Sequence, residues 1–222
     1  MMRPFVGFDM DGVILDSDTF AAGDWIVEAF MKTLREFGIP ETEENARALY
    51  MNNLRENAGA FCEKFGIPDP RMLWARREEH YVNDKLATLE AGQIDLFPDV
   101  AALEELRADY PLGIASNSPQ IVVDRVVSYF SLDRIFRVWI GRGSSLKEIC
   151  LAKPSPHLLK RLKGALGSRH GYYVGDQLAD IQAAQAALLV PIEIVRDGSG
   201  GDIRSLTELK RFLIHEEAKQ HD

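Results

Sequence analysis

The stretch Pro4-Phe5-Val6-Gly7-Phe8-Asp9-Met10-Asp11-Gly12-Val13 decides how the rest of the chain is read. Its apolar run is short, lacks polar alternation and stops on an acid. That pattern predicts a strand covered on both faces, as in a parallel sheet. Similar runs recur downstream. They are Leu112-Gly113-Ile114-Ala115 leading into Ser116-Asn117, Val138-Trp139-Ile140, Tyr172-Tyr173-Val174 leading into Gly175-Asp176, and Ile192-Glu193-Ile194-Val195. Helical patterns separate them over residues 100–109, 120–130, 154–166 and 176–187. Ser118-Pro119 reads as an N-cap followed by proline at the first helical position. Strands alternating with helices predict an open, doubly wound α/β sheet with right-handed crossovers.

One stretch breaks the alternation. From about Ser17 to about Gln93 the pattern is helical only, over residues 19–37, 41–65 and 70–90. The stops are Gly38 with Pro40, Gly66 with Pro68, and Gly92, as expected of residues that end helices. Ile26, Phe30, Leu34 and Phe37 share one stripe of the first helix, which Asp16 and Ser17 are expected to cap. The chain therefore reads as an α/β core with an all-helical insertion after its first strand.

Composition narrows the function. Of 222 residues, 46% are hydrophobic, enough for a packed core. No apolar run approaches the roughly 20 residues a membrane span requires. The N-terminus meets an acid too soon for a signal peptide, and the only cysteines, Cys62 and Cys150, form neither a disulfide framework nor a zinc cluster. A cytoplasmic protein is expected. A net charge of -8 argues against a nucleic-acid partner, because no Lys/Arg excess exists to release counterions. The Gly-rich segment Asp197-Gly-Ser-Gly-Gly-Asp202 lacks a following Lys-Ser/Thr and reads as a turn. The histidines have no ligand spacing, and the three tryptophans, Trp25, Trp74 and Trp139, read as packing residues.

The chemistry gathers where the strands end. Ligands of open α/β sheets bind beyond the carboxyl ends of the strands, at the point where strand order reverses. With order 3-2-1-4-5 that point lies between the first and fourth strands, which deliver Asp9, Asp11 and Asp176. Clustered carboxylates repel unless a cation lies between them. Oxygen-only ligands favour Mg²⁺. A carboxylate can also attack phosphorus.

The set Asp9-x-Asp11-Gly12-Val13, Ser116-Asn117, Lys153-Pro154 and Gly175-Asp176-x-x-x-Asp180 resembles the four motifs of the haloacid dehalogenase superfamily, in the family's order. The first motif, through Ile14-Leu15-Asp16-Ser17, is most like the phosphoglycolate phosphatase and β-phosphoglucomutase branch, whose helical cap the insertion matches. The resemblance implies a core of residues 1–16 and 94–222 and a cap of residues 17–93. It implies Asp9 as nucleophile and Mg²⁺ ligand, and Asp11 as general acid/base with its backbone carbonyl on the metal. Ser116 and the Asn117 backbone would hold phosphoryl oxygens, and Lys153 would neutralise Asp9 and the transferring group. Asp176 would be a metal ligand, and Asp180 a ligand or a support to one. Where the family usually turns on glycine, this chain has Leu188-Leu189-Val190-Pro191.

The expected activity is that of a phosphatase on a small soluble phosphorylated metabolite. A phosphomutase shares the first half-reaction and is the alternative. A non-catalytic phosphate-binding scaffold is the alternative from another class. A dehalogenase is disfavoured because Asp11 is retained, and halide departure needs no proton. Arg47, Arg55, Arg71, Arg76 and Arg77 could meet an acidic substrate, although each also reads as part of a solvated helix face.

Overall fold

A computed structural model describes residues 4–17, 24–198 and 200–219. The chain begins with β1 (Phe5–Phe8), whose residues are all buried, and a two-residue strand β2 (Leu15–Asp16). Four helices follow: α1 (Trp25–Glu36), α2 (Glu43–Ala48), α3 (Met51–Lys64) and α4 (Pro70–Glu90). A short strand β3 (Asp95–Leu96) pairs antiparallel with β2, so the helical excursion leaves and returns at one place. After a 3₁₀ turn at Pro98–Ala102 come α5 (Leu103–Leu106), β4 (Leu112–Pro119), α6 (Gln120–Tyr129) and β5 (Val138–Arg142). The chain closes with α7 (His157–Leu166), β6 (Gly171–Gly175), α8 (Leu178–Ala186), β7 (Val190–Glu193) and α9 (Leu209–Lys219).

The main sheet has five strands, all paired in parallel, in the order β5-β4-β1-β6-β7. That is the order 3-2-1-4-5 on which the sequence argument rests, and β1 lies between β4 and β6. Alternation along β1 divides the core. Val6 and Phe8 join Leu112, Ile114, Val122, Val126 and Leu209 on one face. Phe5 joins Leu158, Leu162, Tyr173 and Ala184 on the other. Gly7 faces α7, where an added Cβ would lie 2.9 Å from both Leu162 and Tyr173. The helical insertion has its own apolar cluster, built on Phe30, Leu34, Leu49, Phe61, Leu73 and Trp74.

Local chemistry explains most element ends. Asp69 accepts from the Arg71 N–H and precedes Pro70 at the first turn of α4, a pairing that fixes a helix start. Thr42 does the same for α2 through Asn45. Other ends differ from expectation. Residues 41–65 form two helices, because Tyr50 takes an extended backbone between them (φ -60°, ψ 140°). Residues 100–109 give a 3₁₀ turn and one α-turn instead of a full helix. The start of the helix expected over residues 19–37 lies outside the described residues in part. Asp24 is the N-cap of α1, while Asp16 belongs to β2, so neither Asp16 nor Ser17 caps this helix. Ser17 instead accepts the Trp25 indole N–H through its carbonyl at 3.2 Å. Leu188 takes the turn where the family usually has glycine, with φ +57° and its side chain exposed. A left-handed backbone costs a non-glycine residue roughly 1–2 kcal/mol.

Candidate active site

Asp9 stands one residue beyond β1, where its N–H donates to Val174 O of β6 at 2.9 Å. The chain then folds back tightly. Ile14 and Leu15 N–H both donate to Met10 O, at 2.9 and 2.8 Å. Gly12 takes φ +79°, and a Cβ there would lie 2.3 Å from Asp176 Oδ2. Glycine is required both by that backbone and by the approach of the β6 loop to the β1 loop.

Lys153 is 1% exposed and lies between two acids. Its Nζ is 2.8 Å from Asp9 Oδ1 and 2.5 Å from Asp180 Oδ1. It also donates to Tyr173 Oη at 3.0 Å, and that hydroxyl donates to Ala115 O at 2.5 Å. The Asn117 side chain fixes the loop that carries Lys153. It accepts from Lys153 N–H at 2.7 Å and donates to Lys153 O at 3.1 Å. Asp180 closes a capping box at the start of α8, accepting from Gln177 N–H at 3.1 Å. The helix expected from residue 176 therefore begins at Leu178, and Asp176 lies in the loop before it, its Oδ2 accepting from Gln177 Nε2 at 2.9 Å.

Asp9, Asp176 and Asp180 each offer an oxygen within 4.8 Å of the others. The three convergent side chains thus include Asp180, whereas the Asp11 side chain points elsewhere. Burial pushes the Asp9 carboxyl up to about 8, Lys153 pulls it down, and Asp180 adds like charge. Burial also raises Asp176. Burial disfavours the charged Lys153, but Asp9, Tyr173 and Asp180 outweigh it and hold the amine well above its usual range. One Asp176 oxygen, Oδ1, is buried with no hydrogen-bond partner. Fully ionised, three carboxylates against one ammonium would leave two uncompensated negative charges, a repulsion that contributes to raising Asp9, and an orphaned carboxylate oxygen lies among them. These residues fit a hard divalent cation such as Mg²⁺.

Asp11 faces the helical insertion. Its Oδ1 lies 2.5 Å from Lys85 Nζ of α4, and its Oδ2 accepts from Ser118 Oγ at 2.8 Å. Burial works to raise this carboxyl, but the Lys85 charge and hydrogen bond outweigh it and hold Asp11 below the usual carboxylate range. Sequence reasoning missed both partners. Ser118 belongs to β4 and Pro119 takes the N-cap position of α6 without a side-chain bond, so the expected serine cap does not form. Ser116 is buried and its Oγ accepts from Ser118 N–H at 3.0 Å.

A cavity of about 470 Å³ joins these groups, lined by Asp9, Ser116, Asn117 and Lys153 of the core and by Tyr50, Asn52, Arg77 and Tyr81 of the insertion. The arginines expected on a solvated face separate here. Arg47, Arg71 and Arg76 pair with exposed or half-buried acids. Arg55 donates to Lys153 O at 3.2 Å. Arg77 is 2% exposed and lines the cavity.

Comparison with known proteins agrees with this architecture. A phosphoglycolate phosphatase of Yersinia pestis is 32% identical over 82% of this chain and 76% of its own length. A pyrophosphatase, PpaX, of Listeria innocua is 25% identical over 81% of this chain and 77% of its own. The crystal structure of a predicted phosphoglycolate phosphatase from Haemophilus somnus superposes with a TM-score of 0.68 at 21% identity, covering 95% of this chain and 98% of that one. The model of the haloacid dehalogenase-like hydrolases matches residues 5–187, a span that holds every acid and base of the cavity. On that match and on its phosphatase relatives, the chain belongs to the haloacid dehalogenase-like hydrolase family, in its phosphoglycolate phosphatase-like branch.

Proposed function

We propose that this hydrolase is a Mg²⁺-dependent phosphatase of small phosphomonoesters, working in the cytoplasm through an aspartyl-phosphate on Asp9. The observation that carries the reading is the position of Asp9: at the end of β1, open to the cavity, 2.8 Å from Lys153. Asp9, Asp176, Asp180 and the Asp11 carbonyl would hold the ion, which when bound neutralises the surplus carboxylate charge and that of the phosphoryl group. Asp9 attacks phosphorus as the ester P–O bond breaks, and Lys153 stabilises the charge that gathers there. Asp11 gives a proton to the departing alkoxide and takes one back from the water that releases phosphate, so it is restored after each turnover. Lys85 favours its ionised form, which suits it to the second step. Ser116 and the Asn117 backbone hold phosphoryl oxygens. Residues 17–93 act as a cap over this site, joined to the core at the β2–β3 ribbon, and select the substrate.

The test is a phosphate-release screen against phosphomonoesters, with and without Mg²⁺, followed by intact-mass measurement of two variants. Asp9→Asn should form no phosphoenzyme with any substrate. Asp11→Asn given an aryl phosphate, whose leaving group needs little protonation, should show a burst of phenol and a hydroxylamine-labile adduct. Its loss in steady turnover should be about 10²–10⁴-fold. Turnover retained by Asp9→Asn would overturn the reading.

A further inference from the structure

The Lys153 ammonium has three protons to give, and one of them goes to an uncharged acceptor. Asp9 and Asp180 take two. The third partner is Tyr173 Oη at 3.0 Å. Tyr173 is a fully buried residue of β6. Its hydroxyl proton goes to Ala115 O of β4 at 2.5 Å, so toward Lys153 the oxygen can only accept. The side chain thus reaches from β6 across β1 to β4. Gly7 of β1 makes room for that crossing, since a Cβ there would lie 2.9 Å from Tyr173 Cδ2. Glycine inside a strand gives up packing, and it often marks such a close approach.

Lys153 is anchored to β4 on either side of Ser116. Asn117 holds its main chain through both N–H and O. Tyr173 ties its Nζ to Ala115 O. A lysine stem is flexible and its ammonium is a point charge with rotatable donors, so the charge stays in place only if its partners hold it. A misplacement of about 1 Å can cost 10²-fold in rate. A buried tyrosine hydroxyl needs a partner, and Ala115 O alone would supply one; the second partner here is the ammonium. Packing does not need the hydroxyl either. The ring lies among Phe5, Leu158 and Leu162, and its centroid is 5.4 Å from Lys153 Nζ, contacts that phenylalanine would keep. We infer that Tyr173 is a positioning residue, whose hydroxyl fixes the Lys153 ammonium relative to Asp9 and Ser116 for phosphoryl transfer. The inference rests on the phosphatase reading above.

Tyr173→Phe removes the hydroxyl and keeps the ring. Turnover of p-nitrophenyl phosphate is measured in saturating Mg²⁺, beside calorimetry with beryllofluoride, which binds an aspartate as a mimic of the phosphoryl group. kcat should fall about tenfold, a fraction of the roughly 10²–10³-fold that loss of a charge-stabilising donor costs, with KM within about twofold of wild type. The Kd for beryllofluoride should rise by a similar factor. Leu162→Val loosens the same apolar cluster and leaves both anchors of Lys153 in place. It should lower the urea midpoint of unfolding as Tyr173→Phe does, and leave kcat and Kd unchanged. If Tyr173→Phe lowers the urea midpoint alone, or raises KM at constant kcat, or if Leu162→Val lowers kcat as strongly, the positioning role is overturned and the phosphatase reading stands. Wild-type enzyme that neither turns over p-nitrophenyl phosphate nor binds beryllofluoride would overturn both.

Discussion

Two buried charge networks face one cavity, and they are unbalanced in opposite directions. Around Lys153, three carboxylates meet one ammonium. Between α4 and the end of β5, Arg77, Lys85 and Arg142 meet, among the described residues, the acids Glu78 and Asp11. Buried charges are tolerated when paired, so what is left over on each side indicates what must enter. The first network asks for a cation, and the second holds three cations against two acids.

The largest effect should come from breaking the first network at its single cation. Lys153→Ala leaves Asp9 and Asp180 buried without their shared partner. Loss of one such charge-stabilising donor typically lowers kcat about 10²–10³-fold. Breaking a buried pair also costs roughly 3–5 kcal/mol of stability, measurable by denaturant unfolding. Mg²⁺ should recover part of that stability, because it would balance the same carboxylates. A variant with wild-type kinetics would reduce Lys153 to a structural residue.

The second network is probed by Lys85→Met, which removes a cation of the insertion and leaves the core acids intact. Asp11 would keep Ser118 as its partner and lose the group that orients Oδ1. We expect kcat to fall about tenfold, a fraction of what full loss of a general acid–base costs, with KM little changed. A rise in KM at constant kcat would assign Lys85 to substrate binding instead.

The two networks also differed in how far they could be read from sequence. Asp9 and Asp176 stood out because each follows a short apolar strand, whereas Lys153, which alone reads as a solvated lysine, stood out only through the family motif. The strand pattern predicted the sheet, while order 3-2-1-4-5 was a supposition from which the switch point followed. The charged face of α4 was not legible. Arg77, Tyr81 and Lys85 recur every fourth residue, the spacing of a buried stripe, yet two of the three are cations. By composition that stripe belongs in solvent. Only tertiary contacts, Asp11 and Ser118 for Lys85 and Leu49 O with Phe30 for Arg77, supply the partners that allow burial, and these lie far away in sequence. Ser118 was misread for a related reason. Ser-Pro before a helix is a local signal, and the pull of Asp11 on its hydroxyl is a tertiary one.

The smallest effect should come from a third network that is balanced. Asp99 accepts from Arg196 Nη1 at 2.9 Å, Ser205 Oγ at 2.9 Å and Leu206 N–H at 2.8 Å. Arg196 in turn donates to Gly12 O at 3.2 Å and Val13 O at 2.7 Å, just after Asp11. One acid meets one base, so nothing is left to recruit a ligand, although Arg196 donates to the two residues that follow Asp11. Burial would raise the Asp99 carboxyl, but its hydrogen bonds with Arg196, Leu206 and Ser205 outweigh that and hold it below its ordinary value. The folded state therefore favours the ionised form. The stability Asp99 contributes is present above the unfolded carboxylate value of about 3.9 and is lost as pH falls through the lower folded value. Asp99→Asn should cost on the order of 1–3 kcal/mol near neutrality, the scale of a hydrogen-bonded charge. The gap between variant and wild type should close as urea midpoints are followed from pH 6 down to about pH 3. kcat should not move. If Asp99→Asn changes it as strongly as Lys85→Met does, then leftover charge is not what separates the functional networks from the structural one.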